Sequence, residues 1–153
     1  MFKRLVFTIS LVLLLSVPIL TLASEVGVGV FYSFSGSLYY VIDYNTLGIV
    51  KNAPNTTSGF NIMILTNFSE YLLSAGGMAK YDNRLDIGLV SLYGMGGFVV
   101  PINDFALEKM TAIIKIGAKY YFNNFSITSG LFNFYKPDNA KVEGIEFSVG
   151  YSF

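Results

Sequence analysis

The side chains of this 153-residue chain that could do chemistry are carboxylates and lysines, because the sequence contains no histidine and no cysteine. Ser-His-Asp and Cys-His catalysis therefore cannot be assembled from it, and neither can the common transition-metal sites. Asp86 and Glu146 could share a site as a carboxylate pair. Carboxylates beside lysines are more often ion pairs than catalysts, so we expect a protein that is not an enzyme and that has no cofactor and no metal.

The composition indicates an unusually large apolar surface. Hydrophobic residues make up 53% of the chain and charged residues only 13%, and the mean hydropathy is +0.55. Such values are typical of a protein that contacts lipid. Because no basic stripe is present, the sequence gives no indication of nucleic-acid binding.

The first segment has the layout of a secretory signal peptide. Lys3 and Arg4 precede an apolar run from Leu5 to about Leu20, and small residues follow it up to Ser24. The alternative is a membrane anchor, but the run is shorter than the roughly 20 apolar residues that span a bilayer. We therefore expect a signal peptide over 1–24, cleaved after Ala23 or Ser24, and a single domain over 25–153.

The elements that would position the charges are β-strands, because apolar residues recur at every second position through most of the domain. The last ten residues, "GIEFSVGYSF", alternate without exception. Two-residue turns are expected at 82–83 and 123–124, and longer connections at 46–58, 97–108 and 136–141. The predicted strands cover residues 25–35, 37–45, 59–67, 70–81, 84–96, 109–122, 125–135 and 142–153.

The less apolar face of these strands indicates which way each face points. It carries glycine, serine and only a few charged residues, too few for a surface exposed to water. The side chains of the apolar face, in turn, are too many and too large to fit inside one small barrel. An apolar face turned outward to hydrocarbon satisfies both conditions. The sequence therefore predicts an all-β fold, a closed antiparallel up-and-down transmembrane β-barrel of about eight strands, whose closure leaves no unpaired edge in lipid.

An eight-stranded barrel has an interior only wide enough to be filled by side chains. The predicted inward positions include three charges of each sign, which we expect to form a polar network that fills the lumen; a selective pore is the alternative. These lumen residues are Asp43, Lys80, Asp86, Lys115, Lys119 and Glu146.

Aromatic residues concentrate towards the predicted strand ends, as expected of interfacial girdles; the alternative is that the rings pack a β-core. One rim would carry Tyr81, Tyr120, Tyr121, Phe122, Phe125, Tyr151 and Phe153, and the other Phe34, Tyr39, Phe68, Tyr71, Tyr93, Phe98 and Tyr135.

A signal peptide, eight amphipathic strands and a last strand that ends on phenylalanine together resemble the small bacterial outer-membrane barrels of the OmpA/OmpX type. The resemblance rests above all on the terminal strand, in which Ile145, Phe147, Val149, Tyr151 and Phe153 alternate with small or polar residues. It implies that this strand is the signal read by the barrel-assembly machinery, that both chain ends face the periplasm, and that the partners are outer-membrane lipid and that machinery. We expect a monomer in the bacterial outer membrane.

One feature departs from that family's pattern. The connection at 46–58 would be a periplasmic turn, and such turns are usually short, whereas Ser35–Ser37 would be an unusually tight external one. The sequence leaves three functions open: a lumen-filled barrel with a structural or surface-interaction role, a narrow channel for small or hydrophobic solutes, and a soluble exported lipocalin-like ligand-binding barrel.

Overall fold

The computed structural model describes residues 23–86, 88–103, 105–136 and 140–153, so the predicted signal peptide lies almost wholly outside the described residues. The domain is a closed barrel of eight strands in which each strand pairs with its neighbours in the chain. Among the described residues, no helix has the length and apolar character needed to cross a bilayer. The strands are β1 (Ala23–Ser33), β2 (Leu38–Ala53), β3 (Thr56–Thr66), β4 (Tyr71–Leu85), β5 (Gly88–Pro101), β6 (Thr111–Phe122), β7 (Phe125–Tyr135) and β8 (Lys141–Ser152).

The barrel closes where β1 pairs with β8, as the alternation of the last strand predicts. The pairing is antiparallel and runs from Glu25 opposite Ser152 to Ser33 opposite Gly144. All other neighbouring strands are antiparallel too. The predicted fold class, an all-β closed antiparallel up-and-down barrel, is therefore confirmed.

The two ends of the barrel differ in their connections. One end, here called the turn end, carries the start of β1, the end of β8 and the two-residue turns 54–55, 86–87 and 123–124. The other, here called the loop end, carries connections of four to nine residues, at 34–37, 67–70, 102–110 and 136–140. Asn55 and Asn123 have φ of 64° and 54°, a left-handed conformation that asparagine tolerates better than most residues.

The long connection expected at 46–58 is wrong. β2 continues to Ala53 and β3 begins at Thr56, so only Pro54 and Asn55 lie between them. The register of β2 against β3 shifts between Leu47 and Val50 and again between Lys51 and Ala53. These irregularities break the two-residue period, which is why the sequence pattern misses the strand ends. The corrected turn is short, so this half of the departure from the family's pattern disappears, whereas the expected tight turn at Ser35–Ser37 is present in the four-residue connection 34–37.

The turn expected at 82–83 is also wrong. Asp82 lies opposite Ser91 and Asn83 opposite Val90, so β4 runs on to Leu85. The faces of the following strand are the reverse of those that the sequence pattern predicts, which places Tyr93 among the outward apolar residues. Tyr93 is buried inside the barrel, and Leu92 is 59% exposed on the outside.

Apart from that strand, the apolar face points outward as predicted. Val28, Ile42 and Ile114 are 57%, 55% and 60% exposed. On the other face of the same strands, Phe31, Val41 and Ile113 are buried within the barrel. An apolar exterior around a filled interior is the arrangement of a barrel whose surroundings are hydrocarbon.

Neighbouring glycines of β4 provide a test of the inward packing. A methyl group on Gly76 would lie 2.8 Å from the Cα of Gly97 and closer still to the carbonyl oxygen of Gly96, whereas one on Gly77 would meet nothing within 4 Å. Gly76→Ala should therefore lower the free energy of unfolding by about 1–3 kcal/mol, the usual cost of overpacking. Gly77→Ala should leave it unchanged or raise it by about 0.5–1 kcal/mol. Urea unfolding of the refolded protein in detergent micelles measures both, and equal effects of the two substitutions would contradict the assigned faces.

Candidate functional site

The interior of the barrel has two layers, and the layer nearer the loop end is apolar. Four rings from three strands pack there: Phe31 lies 5.7 Å from Tyr39 and 4.8 Å from Phe132, and Phe134 lies 6.1 Å from Tyr39. Aliphatic side chains complete the layer, so buried apolar groups pack against one another in this half of the interior. The buried members are Phe31, Tyr39, Val41, Leu65, Leu72, Val99, Ile113, Phe132, Phe134 and Val142.

The layer nearer the turn end is polar and contains ion pairs. The Lys115 ammonium lies 2.8 Å and 2.6 Å from the two carboxylate oxygens of Glu146. Lys119 pairs with Glu25, and Lys80 lies 3.1 Å from a carboxylate oxygen of Asp82. Lys115, Lys119, Glu25 and Glu146 are all buried, so each charge is compensated inside the barrel rather than by solvent.

Asp43 belongs to the same layer but contacts amides instead of a lysine. One of its carboxylate oxygens accepts a hydrogen bond of 2.8 Å from the side chain of Asn45. The side-chain oxygen of Asn45 in turn accepts a hydrogen bond of 2.8 Å from the side-chain amide of Asn61. Asp43, Asn45 and Asn61 thus form a buried row across β2 and β3.

Five of the six residues predicted for the lumen lie on the inner face. Asp43, Lys115, Lys119 and Glu146 are buried, and Lys80 is 10% exposed near the turn end. Asp86 does not lie inside; it is exposed in the turn after β4, because that strand is longer than expected. Asp86 and Glu146 therefore do not form a carboxylate pair.

Sequence reasoning missed two interior carboxylates. Glu25 is buried against Lys119. It lies two residues before the inward Gly27 on the same strand, and this spacing could have identified it as an inward residue. The sequence pattern places Asp82 in a turn, but it lies in β4 and accepts a hydrogen bond of 2.5 Å from the Ser91 hydroxyl. No local signal marks Asp82, because asparagine and aspartate are also the commonest turn residues.

A second polar cluster lies at the loop end, above the apolar layer. One carboxylate oxygen of Glu70 accepts hydrogen bonds from the Tyr39 hydroxyl, at 2.6 Å, and from the Lys136 ammonium, at 2.7 Å. Partial burial acts to lower the pKa of Lys136, but hydrogen bonds to Glu70 and Tyr39 outweigh it and raise that pKa above its usual value. The cluster connects the loop before β4 with the loop after β7, across the mouth of the barrel.

The predicted aromatic rims divide into outward and inward rings. Tyr39 and Tyr93 are buried in the interior, and Tyr121 lies on the inner face, where the Lys80 ammonium is 4.8 Å from its ring centre. Tyr120 is intermediate in exposure. The remaining predicted rings are exposed at 39% or more and lie near the strand ends: Phe34, Phe68, Tyr71, Tyr81, Phe98, Phe122, Phe125, Tyr135, Tyr151 and Phe153.

The residues of the terminal strand lie on the outer face. Phe147, Val149, Tyr151 and Phe153 are exposed by about half, and Ile145 is intermediate. The main chain of Phe153 exchanges hydrogen bonds with Ser24, at 3.0 Å and 3.4 Å. The last residue is therefore part of the closing ladder.

The comparisons with known proteins agree with this architecture. No family model and no curated protein matches the sequence. By structure, the chain is similar to the outer membrane enzyme PagL, with a TM-score of 0.68 at 14% identity over 83% of this chain and 98% of PagL. It is also similar to the N-terminal β-barrel domain of Pseudomonas aeruginosa OprF, with a TM-score of 0.58 at 16% identity over 86% of this chain and 97% of that domain.

A third match is a de novo designed transmembrane β-barrel, with a TM-score of 0.58 at 15% identity over 86% of this chain and 95% of the design. Identities this low establish the fold alone. The chain has the fold of small outer-membrane β-barrels, and its function must be argued from its own side chains.

The buried ion pair of β8 can be tested against an exposed pair of the same strand. Glu146→Gln leaves the Lys115 ammonium buried without its partner, which should lower the free energy of unfolding by about 3–5 kcal/mol. Glu143→Gln breaks a pair with Lys141 whose side chains are 47% and 48% exposed, and it should cost less than about 1 kcal/mol. Urea unfolding measures both variants, and a small effect of Glu146→Gln would show that solvent reaches Lys115.

Proposed function

We propose that this protein is an exported, non-enzymatic barrel of the bacterial outer membrane with a structural or surface-interaction role and a closed lumen. Its outer-membrane-type fold is the premise, and the filled interior is the observation that carries the proposal. The apolar layer occupies one half of the lumen and the paired charges the other. We place the turn end in the periplasm and the loop end outside, as the short turns favour.

The distribution of apolar side chains supports a membrane location. Rings and aliphatic chains exposed on the outside, such as Val28, Ile114 and Phe147, would be costly in water and are favourable in hydrocarbon. A soluble lipocalin-like barrel needs the opposite arrangement, with the large apolar face lining a ligand cavity. Outer-membrane lipid is thus the partner we propose for the exterior.

The apolar layer also argues against conduction. Phe31, Phe132 and Phe134 are at most 1% exposed, so an ion would have to displace packed rings before reaching the polar layer. The ion pairs of that second layer would have to open as well. We therefore place the narrow-channel function second.

Few side chains of this protein are available to act in catalysis. PagL is an outer membrane enzyme, but a shared fold does not transfer activity. In this chain without histidine, three interior carboxylates are engaged by lysines and the loop-end carboxylate of Glu70 by Lys136. A carboxylate held in an ion pair is a poor general base, which supports a non-enzymatic function.

We propose that the signal peptide directs export and that the terminal strand then directs assembly of the barrel. Ser24 pairs with Phe153 in the closing ladder, which favours cleavage after Ala23 over cleavage after Ser24, because the earlier cut keeps that pair. The exposed alternate residues of β8 are available to the barrel-assembly machinery before closure. We propose a monomer, since closure of β1 on β8 completes the sheet within one chain.

The closed lumen predicts a protein that does not conduct. The purified protein should show heat-modifiable migration on gels, should fractionate with the outer membrane, and should give no steady conductance in planar bilayers. Replacing two rings of the apolar layer, in Phe31→Ser with Phe132→Ser, should introduce conductance. Phe147→Ser, which removes a ring of the same size from the outside, should stay silent, and steady conductance of the native protein would support the channel instead.

The terminal strand predicts a defect in assembly rather than in folding. Deletion of Phe153 should reduce the amount of barrel inserted in cells several-fold, while refolding into detergent micelles stays nearly complete. Phe125→Ala is the control, because it removes an equally exposed ring that packs against Tyr151 at 5.3 Å at the same end of the barrel. Equal insertion of the deletion variant and the native chain would argue against a signal in this strand.

A further inference from the structure

The outer face of the barrel wall carries charged side chains at one place among the described residues. Lys141 and Glu143 point outward from the start of β8, next to the loop end, and their side chains are 48% and 47% exposed. Their charged groups lie 2.6 Å apart. Every later outward position of β8 is apolar, from Ile145 to Tyr151. The pair therefore lies at the boundary between the apolar wall and the loop end.

A neutral polar side chain lies directly beside this pair. Asn133 of β7 is opposite Glu143, and Tyr135 is opposite Lys141, so the four side chains leave the same face of the two strands. Asn133 is intermediate in exposure. Within the part of the chain that the structure describes, no residue forms a hydrogen bond with its side chain. An amide without a partner is costly in a wall that faces lipid, so Asn133 requires a polar partner from outside the chain.

The charged pair also has hydrogen-bonding capacity to spare. The Lys141 ammonium has three donors, and its contact with one carboxylate oxygen of Glu143 leaves donors for a second anion. The carboxylate has about four acceptor positions, which leaves it able to accept from a ligand. Asn133, Tyr135, Lys141 and Glu143, here called the rim patch, therefore combine a cation with exposed acceptors.

The order of these groups along the strands narrows the class of ligand. Lys141 and Tyr135 lie at the rim. Glu143 and Asn133 lie two residues farther from it, about 7 Å along the strands. A matching ligand has an anion at the rim and N–H or O–H donors below it, next to its acyl chains. A phosphorylated sugar with amide-linked acyl chains has this order, whereas in phosphatidylethanolamine the donor, its ammonium group, lies above the phosphate.

We propose that the rim patch binds the headgroup of a phosphorylated glycolipid with amide-linked acyl chains in the outer leaflet. Lys141 binds the phosphate, and Glu143 and Asn133 accept hydrogen bonds from the amide and hydroxyl groups below it. The acyl chains lie along the apolar wall, where Ile114 is 60% exposed opposite Asn133. The inference rests on the proposed function, because it requires the loop end to face the outer leaflet.

The test measures lipid bound to the full mature chain after refolding in micelles of a non-ionic detergent. Native mass spectrometry reports the fraction of barrels that carry one lipid while lipid A, dephosphorylated lipid A, phosphatidylglycerol or phosphatidylethanolamine is added. We expect lipid A to bind about tenfold more tightly than each of the other three lipids. Lys141→Gln should remove most of this preference. Arg84→Gln, which removes an exposed cation from the turn end, should keep it.

Glu143→Gln separates recognition of the phosphate from recognition of the donors below it. Because Lys141 remains, both lipid A and phosphatidylglycerol should still bind, but their affinities should differ by less than about threefold. Asn133→Leu should reduce the same difference to a smaller extent. All of these side chains are at least partly exposed, so the variants should refold, and heat-modifiable migration on gels checks this.

Equal binding of lipid A and its dephosphorylated form to the native chain would overturn the proposal. So would tighter binding of phosphatidylethanolamine than of lipid A, or a preference that Lys141→Gln leaves unchanged. Dimers that this substitution abolishes would assign the rim patch to a second copy of the chain instead. None of these results touches the proposed function, which is rejected separately if the native chain does not insert into phospholipid vesicles.

Discussion

The structure depends on the narrowness of an eight-stranded barrel. Its interior has room for side chains and little else, so every inward position must be filled and every inward charge compensated by groups of the same chain or by small occupants. Glycine makes this possible. A methyl group on Gly130 or Gly117 would lie 2.6 Å or 2.8 Å from the hydroxyl of Tyr93. This large polar ring therefore fits only because the adjacent β6 and β7 carry glycine at these positions.

The same narrowness explains why the ion pairs connect strands that are not neighbours. Lys115 and Lys119 both project inward from β6, and they meet Glu146 on β8 and Glu25 on β1. Each pair therefore connects strands that have one or two strands between them. In a region shielded from water such pairs gain more from attraction than surface pairs do, but they also lose more when one partner is removed.

The sequence alone predicts the closed barrel, its strand number and the outward face of most strands. In β1, β6 and β8 most outward positions are apolar, and each of these strands has the predicted orientation. The prediction fails where the period is disturbed, at the register shifts of β2 and along β5, where glycines and a run of apolar residues make both faces look alike. The error in Asp86 has a separate cause, since β4 continues to Leu85 and Asp86 lies in the turn after it.

Which carboxylate meets which lysine could not be predicted at all, because it depends on the stagger of the strands around the barrel. Lys115 and Lys119 are four residues apart, so they lie on the same face of β6 whatever its register. Only the closed barrel shows that Lys115 contacts β8 and Lys119 contacts β1.

The junction between β1 and β8 is thus stabilised in two ways. Its backbone ladder runs from Glu25 to Ser33, and on its inner face Glu25 and Glu146 are each bound to a lysine of β6. Loss of either ion pair loosens the one junction that local sequence cannot form, because its two strands lie at opposite ends of the domain.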